Sequence, residues 1–197
     1  MTSINKIRSI SIWIFILPFI SVNTCLLVIT NFHTILEPGV PIFPTFPYFD
    51  GEVSISRTVR EFPMYLLFKP SMFITSYLLI RYWLNNKTVI EEINKEYIHK
   101  KTIIFFGVTS ALLLATHSIF LGIKFDNDIY KLFRRVVMLS FIIFELVAQF
   151  YLIRFLYDHK NKLKNLINEK YLKMKRILIR ILLFVSIIAL PFLPFYN

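Results

Sequence analysis

The sequence predicts an all-α integral membrane protein, a single domain built as a bundle of five transmembrane helices. Two observations support this fold class. Of the 197 residues, 56% are hydrophobic, against ~45–50% in ordinary globular domains. The apolar residues also collect into long stretches, and a helix needs ~20 of them to cross the ~30 Å hydrocarbon core of a bilayer. Five stretches reach that length, at about residues 10–30, 63–83, 102–122, 136–156 and 177–195.

The first stretch has features of a secretory signal peptide, since Lys6 and Arg8 precede it. We expect it to stay in the protein as a signal anchor, because its apolar run is too long and no small-residue cleavage pattern follows. Cys25 does not fit a bacterial lipoprotein signal, because Asn23 and Thr24 precede it in place of small residues. As the single cysteine of the chain, it excludes an intrachain disulfide and a multi-cysteine zinc site.

The positions of the Lys and Arg residues predict the orientation, because cationic loops remain on the cytoplasmic side of a membrane. Thirteen of these residues lie in the N-terminal tail and in the loops 84–101 and 157–176, whereas six lie in the loops 31–62 and 123–135. The N-terminus is therefore expected to be cytoplasmic and the C-terminus outside or luminal. The formal net charge of +11 follows from this loop pattern, so it indicates orientation rather than a nucleic-acid partner.

The last cytoplasmic loop contains a basic segment, residues 160–176, in which seven cations are interspersed with Leu163, Leu166, Ile167 and Leu172. Such a segment can lie on an anionic leaflet, where each cation near the surface contributes ~1 kcal/mol. The predicted partners are therefore the lipid bilayer and anionic lipid headgroups near this segment. A homo-oligomer or a second membrane protein stays open as a further partner. The alternative interpretation is an ordinary cationic loop without a specific ligand.

Residues 31–62 form a long outer loop in this topology, and loops beyond ~12–15 residues are usually functional or disordered. Pro38, Pro41, Pro44 and Pro47 recur every third residue, which is the period of a polyproline II helix. We expect a stiff, proline-rich loop that packs against the outer helix ends. The alternative, a PxxP ligand for an SH3 or WW domain, requires this loop to face the cytosol.

The end of this loop carries a short motif, here called the outer-loop motif, which consists of Ile55, Ser56, Thr58, Pro63 and Phe68. It resembles the stretch after the first helix in the DRAM/Frag/Sfk family, which is named for the damage-regulated autophagy modulator. The pairs Pro47–Tyr48 and Arg81–Tyr82 also resemble features of that family. Arg57 and Val59 stand where family members tend to carry Asp and Gly. The resemblance covers about residues 10–82 and extends to the topology.

The resemblance implies a multi-pass membrane protein with a sixth helix, although the sequence has five apolar stretches. Members of the family are linked with autophagy, with remodelling of GPI-anchor lipids and with lipid asymmetry at the plasma membrane. The expected function is therefore a non-enzymatic role in lipid organisation or in the regulation of membrane traffic. The sequence does not identify the membrane in which this function takes place.

Polar side chains within the apolar stretches predict an intramembrane polar network, because an ionisable residue costs ~2.5–3.5 kcal/mol at the centre of a membrane helix. The candidate residues are Glu145, Gln149, Lys69, His117 and Asn23. Glu145 and Gln149 lie one turn apart on the same helix face. The hypothesis pairs Glu145 with Lys69 or His117 and extends the network through Gln149 and Asn23, as a proton or lipid-headgroup site.

In the alternative interpretation, Glu145 is neutral and hydrogen-bonded to hydroxyl groups such as those of Ser76 or Ser110. Lys69 then extends outward, and His117 is a residue of helix packing. Polar contacts between helices of this kind stabilise membrane bundles without any further function.

The sequence lacks the motifs G-x-S-x-G and H-E-x-x-H and has no paired cysteines. Its four glycines form no phosphate-binding loop, and its four histidines lack the spacing of metal ligands. We therefore expect no metal and no cofactor, and a non-enzymatic protein is favoured. Two other functions stay open: a small oligomeric transporter or channel subunit with a polar path around Glu145 and Lys69, and a lipid-modifying enzyme that uses His117 or Glu145.

Overall fold

The computed structural model describes residues 2–36, 58–59, 62–121, 123, 127–163 and 168–189. Within those residues the chain forms five helices, which run as follows: α1, Thr2–Leu36; α2, Met64–Ile93; α3, Lys100–Phe120; α4, Asp128–Asp158; α5, Glu169–Ala189. The all-α class predicted from the sequence is confirmed for the described residues, and each of the five apolar stretches overlaps one of these helices. The proline-rich segment and the first two residues of the outer-loop motif, Ile55 and Ser56, lie outside the described residues.

Three of the five helices are long and apolar enough to cross a membrane. These spans are Ser3–Ile29 within α1, Lys100–Phe120 in α3 and Asp128–Asp158 in α4. The other two helices are less apolar overall, since α2 carries Lys69 and Pro70 and the first half of α5 is basic. The structure therefore agrees with a membrane protein that has at least these three apolar spans.

Several helices extend beyond the stretches expected from hydropathy: α2 continues to Ile93, past the expected end at about residue 83, and α4 starts early. This helix begins at Asp128, whereas the sequence predicts a membrane span from about residue 136. Asn127 caps it, because the Asn127 side chain accepts a hydrogen bond from the backbone N–H of Ile129 at 2.9 Å. The sequence predicts a loop at residues 123–135. In the structure, the helical backbone instead sets the positions of Lys131, Arg134 and Arg135.

Extensive packing joins helices that are neighbours in the chain: α1 with α2, α2 with α3, α3 with α4, and α4 with α5. Three apolar clusters occupy the interior of the described bundle. The first surrounds Trp83 and includes Ile90, Ile103 and Phe155. The second lies at the opposite end of the bundle, where α1 ends and α2 begins. The third lies between α4 and α5, around Ile179.

Large apolar side chains cover the outer surface of the bundle. Phe15 of α1 and Phe184 of α5 are each 67% exposed, and α2 and α3 expose Tyr77 and Phe105 in the same way. In water such a continuous apolar surface would drive association. It suits a hydrocarbon environment, because the helices already satisfy their own backbone hydrogen bonds.

Candidate functional site

Glu145 of α4 accepts three hydrogen bonds in the interior of the bundle. Its Oε2 accepts from Ser110 Oγ of α3 at 2.7 Å and from Trp83 Nε1 of α2 at 3.1 Å. Its Oε1 accepts from Gln149 Nε2 at 2.9 Å. Three helices thus meet at one carboxyl group, and we call these four residues the carboxylate cluster.

The local sequence explains why the cluster can form. Glu145 and Gln149 are four residues apart, so helical geometry places them on one face of α4. Trp83 is fully buried, and its ring lies directly against the backbone of Gly107. A Cβ atom at that position would overlap the indole, so glycine permits the approach of α2 to α3 that brings the indole N–H to Glu145.

Ser110 allows the cluster to accommodate two protonation states. Its Oγ lies 2.8 Å from the carbonyl oxygen of Gly107 and 2.7 Å from Glu145, but a hydroxyl group has one hydrogen to donate. When Ser110 donates to Glu145, the carboxylate receives three donors and is satisfied as an ion. When Ser110 donates to Gly107, its oxygen can accept a hydrogen from a protonated Glu145.

The structure does not bring every predicted network residue to this cluster. The Lys69 ammonium donates to the carbonyl oxygen of Ile119 at 3.5 Å, and the Asn23 amide donates to the carbonyl oxygen of Phe19 at 2.6 Å. Ser76, a candidate partner of Glu145, donates to the carbonyl oxygen of Ala111 at 2.7 Å. Ser110, the other hydroxyl group expected near Glu145, does contact its carboxyl group.

His117 lies apart from Glu145 but borders the same cavity. Its Nδ1 is buried and has no hydrogen-bond partner among the described residues. Arg134 lies close enough to act electrostatically on its imidazole. His117 therefore belongs to the cationic end of the cavity described next.

A cavity of about 910 Å³ lies between α1, α2, α3 and α4, and we call it the central cavity. Its walls are mostly apolar and come from all four helices and from Val59. The apolar lining residues are Ile14, Pro18, Val22, Val59, Phe68, Met72, Leu79, Leu114, Leu121, Met138, Leu139, Phe141 and Ile142. The polar lining residues are Thr75, His117, Lys131, Arg134, Arg135 and Glu145.

The polar groups of the central cavity are separated along its length. Lys131, Arg134 and Arg135 line one end, where α4 begins, and Glu145 lies further along the same helix. Ten residues separate Arg135 from Glu145, which corresponds to about 15 Å of helix. The cavity thus combines a cationic end with a long apolar section, and the carboxylate cluster lies beyond that section.

The outer-loop motif contributes to the same end of the bundle where it is described. Thr58 and Phe68 are both buried, and Phe68 lines the central cavity. Pro63 directly precedes α2. The motif therefore has a structural role beside the cavity.

Two parts of this site were not predicted from the sequence. Trp83 was missed because its role depends on a contact between helices that spacing does not encode. The cations of the cavity were assigned to a loop, although Asn127 followed by Asp128 is a typical start of a helix.

Comparisons with models of known protein families, with characterised proteins and with solved structures found no match to this chain. The fold and the cavity define its class as a helical bundle with at least three helices that can cross a membrane. The resemblance to the DRAM/Frag/Sfk family stays a prediction from the residues of the outer-loop motif.

Proposed function

We propose that this protein is a five-span membrane protein that binds a membrane lipid in the central cavity and acts in lipid organisation without catalysis. The observation that carries the proposal is the cavity itself, with its apolar walls and its cationic end. This function belongs to the class that the family resemblance implies.

Apolar surfaces of α2 and α5 support five membrane crossings. α2 exposes Leu66, Phe73 and Tyr77, and α5 exposes Ile181 and Phe184. These side chains are favourable against lipid tails and unfavourable against water. Lys69 lies near the start of α2, and its ammonium donates to a backbone carbonyl of α3, which lowers the cost of placing this charge near the membrane surface. The distribution of cations between the loops supports a cytoplasmic N-terminus.

The composition of the cavity favours an amphiphile as its ligand. Its volume lies in the upper part of the ~300–1,000 Å³ range of small-molecule sites. The apolar section suits an acyl chain, because each buried CH₂ group contributes ~0.8 kcal/mol. At the cationic end, Arg134 and Arg135 suit a carboxylate or phosphate group. Together these features describe a lipid with an anionic headgroup.

The arrangement of the helices provides a lateral path for this lipid. α1 and α4 line the cavity from two sides, but no extensive packing joins them within the described residues. Met138 of α4 borders the cavity and is 39% exposed, so the cavity reaches the outer surface of the bundle. A lipid can therefore enter between these helices from the bilayer.

The test is to fill the cavity and measure which lipids stay with the purified protein. Ile142→Trp places an indole among the cavity walls, whereas Val136→Trp places one on an exposed part of the same helix. Native mass spectrometry should detect a bound anionic lipid on the wild-type protein and on V136W. We expect I142W to lose it because the ring occupies the same space.

A second variant keeps the test decisive if I142W fails to fold. Arg134→Gln with Arg135→Gln leaves the apolar walls unchanged and removes two charges from the cationic end. We expect this variant to retain less anionic lipid relative to phosphatidylcholine. Identical lipid retention by the wild type and both cavity variants would contradict the proposal.

A small transporter or channel subunit is a second candidate function, and Glu145 is the observation that favours it. This carboxyl group lines the cavity and can be satisfied in two protonation states, as a proton-coupled site requires. Proton flux in liposomes that disappears in Glu145→Gln would support this candidate. Lipid binding without flux would leave the lipid-organising function.

A further inference from the structure

A second pocket lies between α4 and α5, at the opposite end of α4 from the cations of the central cavity. It has a volume of about 310 Å³, and three arginines line it: Arg154 of α4 with Arg176 and Arg180 of α5. Asp158 is the one carboxylate among its lining residues, and Phe150 and Ile153 give it an apolar side. We call it the arginine pocket.

Among the described residues that line this pocket, three guanidinium groups are accompanied by one carboxylate, that of Asp158. Within the described parts of the chain, none of the three guanidinium groups forms an ion pair with a carboxylate. Arg176 and Arg180 are four residues apart on α5, a spacing at which like charges destabilise a helix. An anion bound between them would remove this repulsion.

One of the arginines is already held in place. The guanidinium of Arg176 lies over the ring of Tyr157, 4.6 Å from its centroid, which is a favourable cation–π distance. The position of this guanidinium is therefore set before a ligand binds. A group fixed in advance loses less conformational entropy on binding than a free arginine side chain.

We infer that the arginine pocket binds the phosphate group of an anionic phospholipid. Guanidinium groups donate paired hydrogen bonds to phosphate oxygens, and such charge-assisted bonds are about twice as strong as neutral ones. The volume is near the lower limit of ~300 Å³ for ligand sites, which suits a headgroup rather than a whole lipid. Phe150 and Ile153 provide an apolar surface for the start of the acyl chains.

This site differs from the attraction of the whole basic segment to a membrane. A diffuse attraction depends on the number of cations, and exposed lysines contribute as much as arginines. Binding in the arginine pocket instead depends on the three arginines that line it, because their side chains come from two helices and border the same space. The site also lies at a different place from the central cavity, so it does not depend on the lipid proposed there.

The experiment compares two pairs of substitutions that remove the same charge. Arg154→Gln with Arg180→Gln changes the pocket, whereas Lys170→Gln with Lys173→Gln changes two exposed lysines of α5 outside it. The full chain is placed in phosphatidylcholine nanodiscs, and every protein compared carries Arg134→Gln and Arg135→Gln, so that the central cavity does not contribute to the binding of a fluorescent phosphatidic acid, which is then measured. We expect the arginine pair to weaken binding by at least about tenfold and the lysine pair to leave the affinity within about twofold.

A charge-conserving variant keeps the result interpretable if the glutamine pair is unstable. Arg154→Lys with Arg180→Lys retains both charges but cannot form the paired guanidinium bonds. We expect it to weaken phosphatidic acid binding while leaving thermal stability unchanged. An affinity equal to that of the wild type would overturn the inference.

Two further results would overturn the proposal. Equal losses in the arginine and lysine pairs would indicate a diffuse electrostatic attraction. Complete competition by inorganic phosphate at concentrations comparable to that of the lipid would indicate a site for soluble phosphate. Weak competition, together with loss of lipid binding in the arginine pair, would support the phospholipid site.

Discussion

At the scale of single residues, the carboxylate cluster shows how an ionisable group is accommodated inside an apolar bundle. Glu145 costs free energy in a membrane helix, and donors from Trp83, Ser110 and Gln149 offset that cost. The contact with Gln149 follows from their spacing on one helix. The contact with Trp83 could not be predicted, because it depends on how closely α2 approaches α3.

Glu145→Ala should destabilise the protein because it removes three hydrogen bonds and leaves the Trp83 indole N–H and the Gln149 amide without this acceptor, whereas Ser110 can still donate to the carbonyl oxygen of Gly107. We expect a loss of about 2 kcal/mol or more in the free energy of unfolding, taking ~0.6 kcal/mol for each hydrogen bond in a membrane bundle plus the cost of unsatisfied donors. Glu145→Gln keeps an acceptor oxygen and should lose less. Unfolding in detergent, monitored by circular dichroism, measures the stabilities of the wild type and the two variants. An alanine variant as stable as the wild type would contradict this role of Glu145.

At the scale of helices, the position of Gly107 determines how α2 and α3 pack. Trp83 lies against the backbone of Gly107, where a side chain would overlap its ring. Hydropathy predicts that both helices exist, since it reports apolar length. It does not predict their contact or the early start of α4 at Asp128, because cations in the first turns of a helix lower the hydropathy there.

Gly107→Ala should destabilise the α2–α3 contact, although alanine is the better helix former. We expect a loss of about 1–3 kcal/mol, as for other overpacked interiors, together with a changed Trp83 fluorescence spectrum. Trp83→Phe provides the control, because a smaller ring leaves room for the added methyl group. The double variant should therefore lose less stability than the sum of the two single losses, and simple additivity would argue against this contact.

At the scale of the whole molecule, two groups of cationic side chains lie near opposite ends of α4 and border different pockets. Lys131, Arg134 and Arg135 border the central cavity at its beginning, and Arg154 borders the arginine pocket near its end. The sequence predicts the excess of cations in alternate loops and hence an orientation. It does not predict either cavity, because each is formed by side chains from different helices.

Single cysteines on a Cys25→Ser background test the five-span topology in intact cells. With a cytoplasmic N-terminus, cysteines at Ser54, Ile123 and Asn197 should react with a membrane-impermeant reagent. Those at Glu96 and Asn161 should react after the membrane is opened. This topology would be contradicted if the cysteine at position 96 were labelled from outside or if the cysteine at position 54 were not.

The most direct measurement of lipid binding in the central cavity is photo-crosslinking with an anionic lipid that carries a photoreactive acyl chain. We expect saturable labelling of Met138, Leu139 or Ile142, reduced by an unlabelled anionic lipid and by the Ile142→Trp substitution. Crosslinking at Phe73 and Phe184, which lie on the exposed surface, measures non-specific contact with the bilayer. Labelling confined to such exposed residues, without competition, would contradict a lipid site in this cavity.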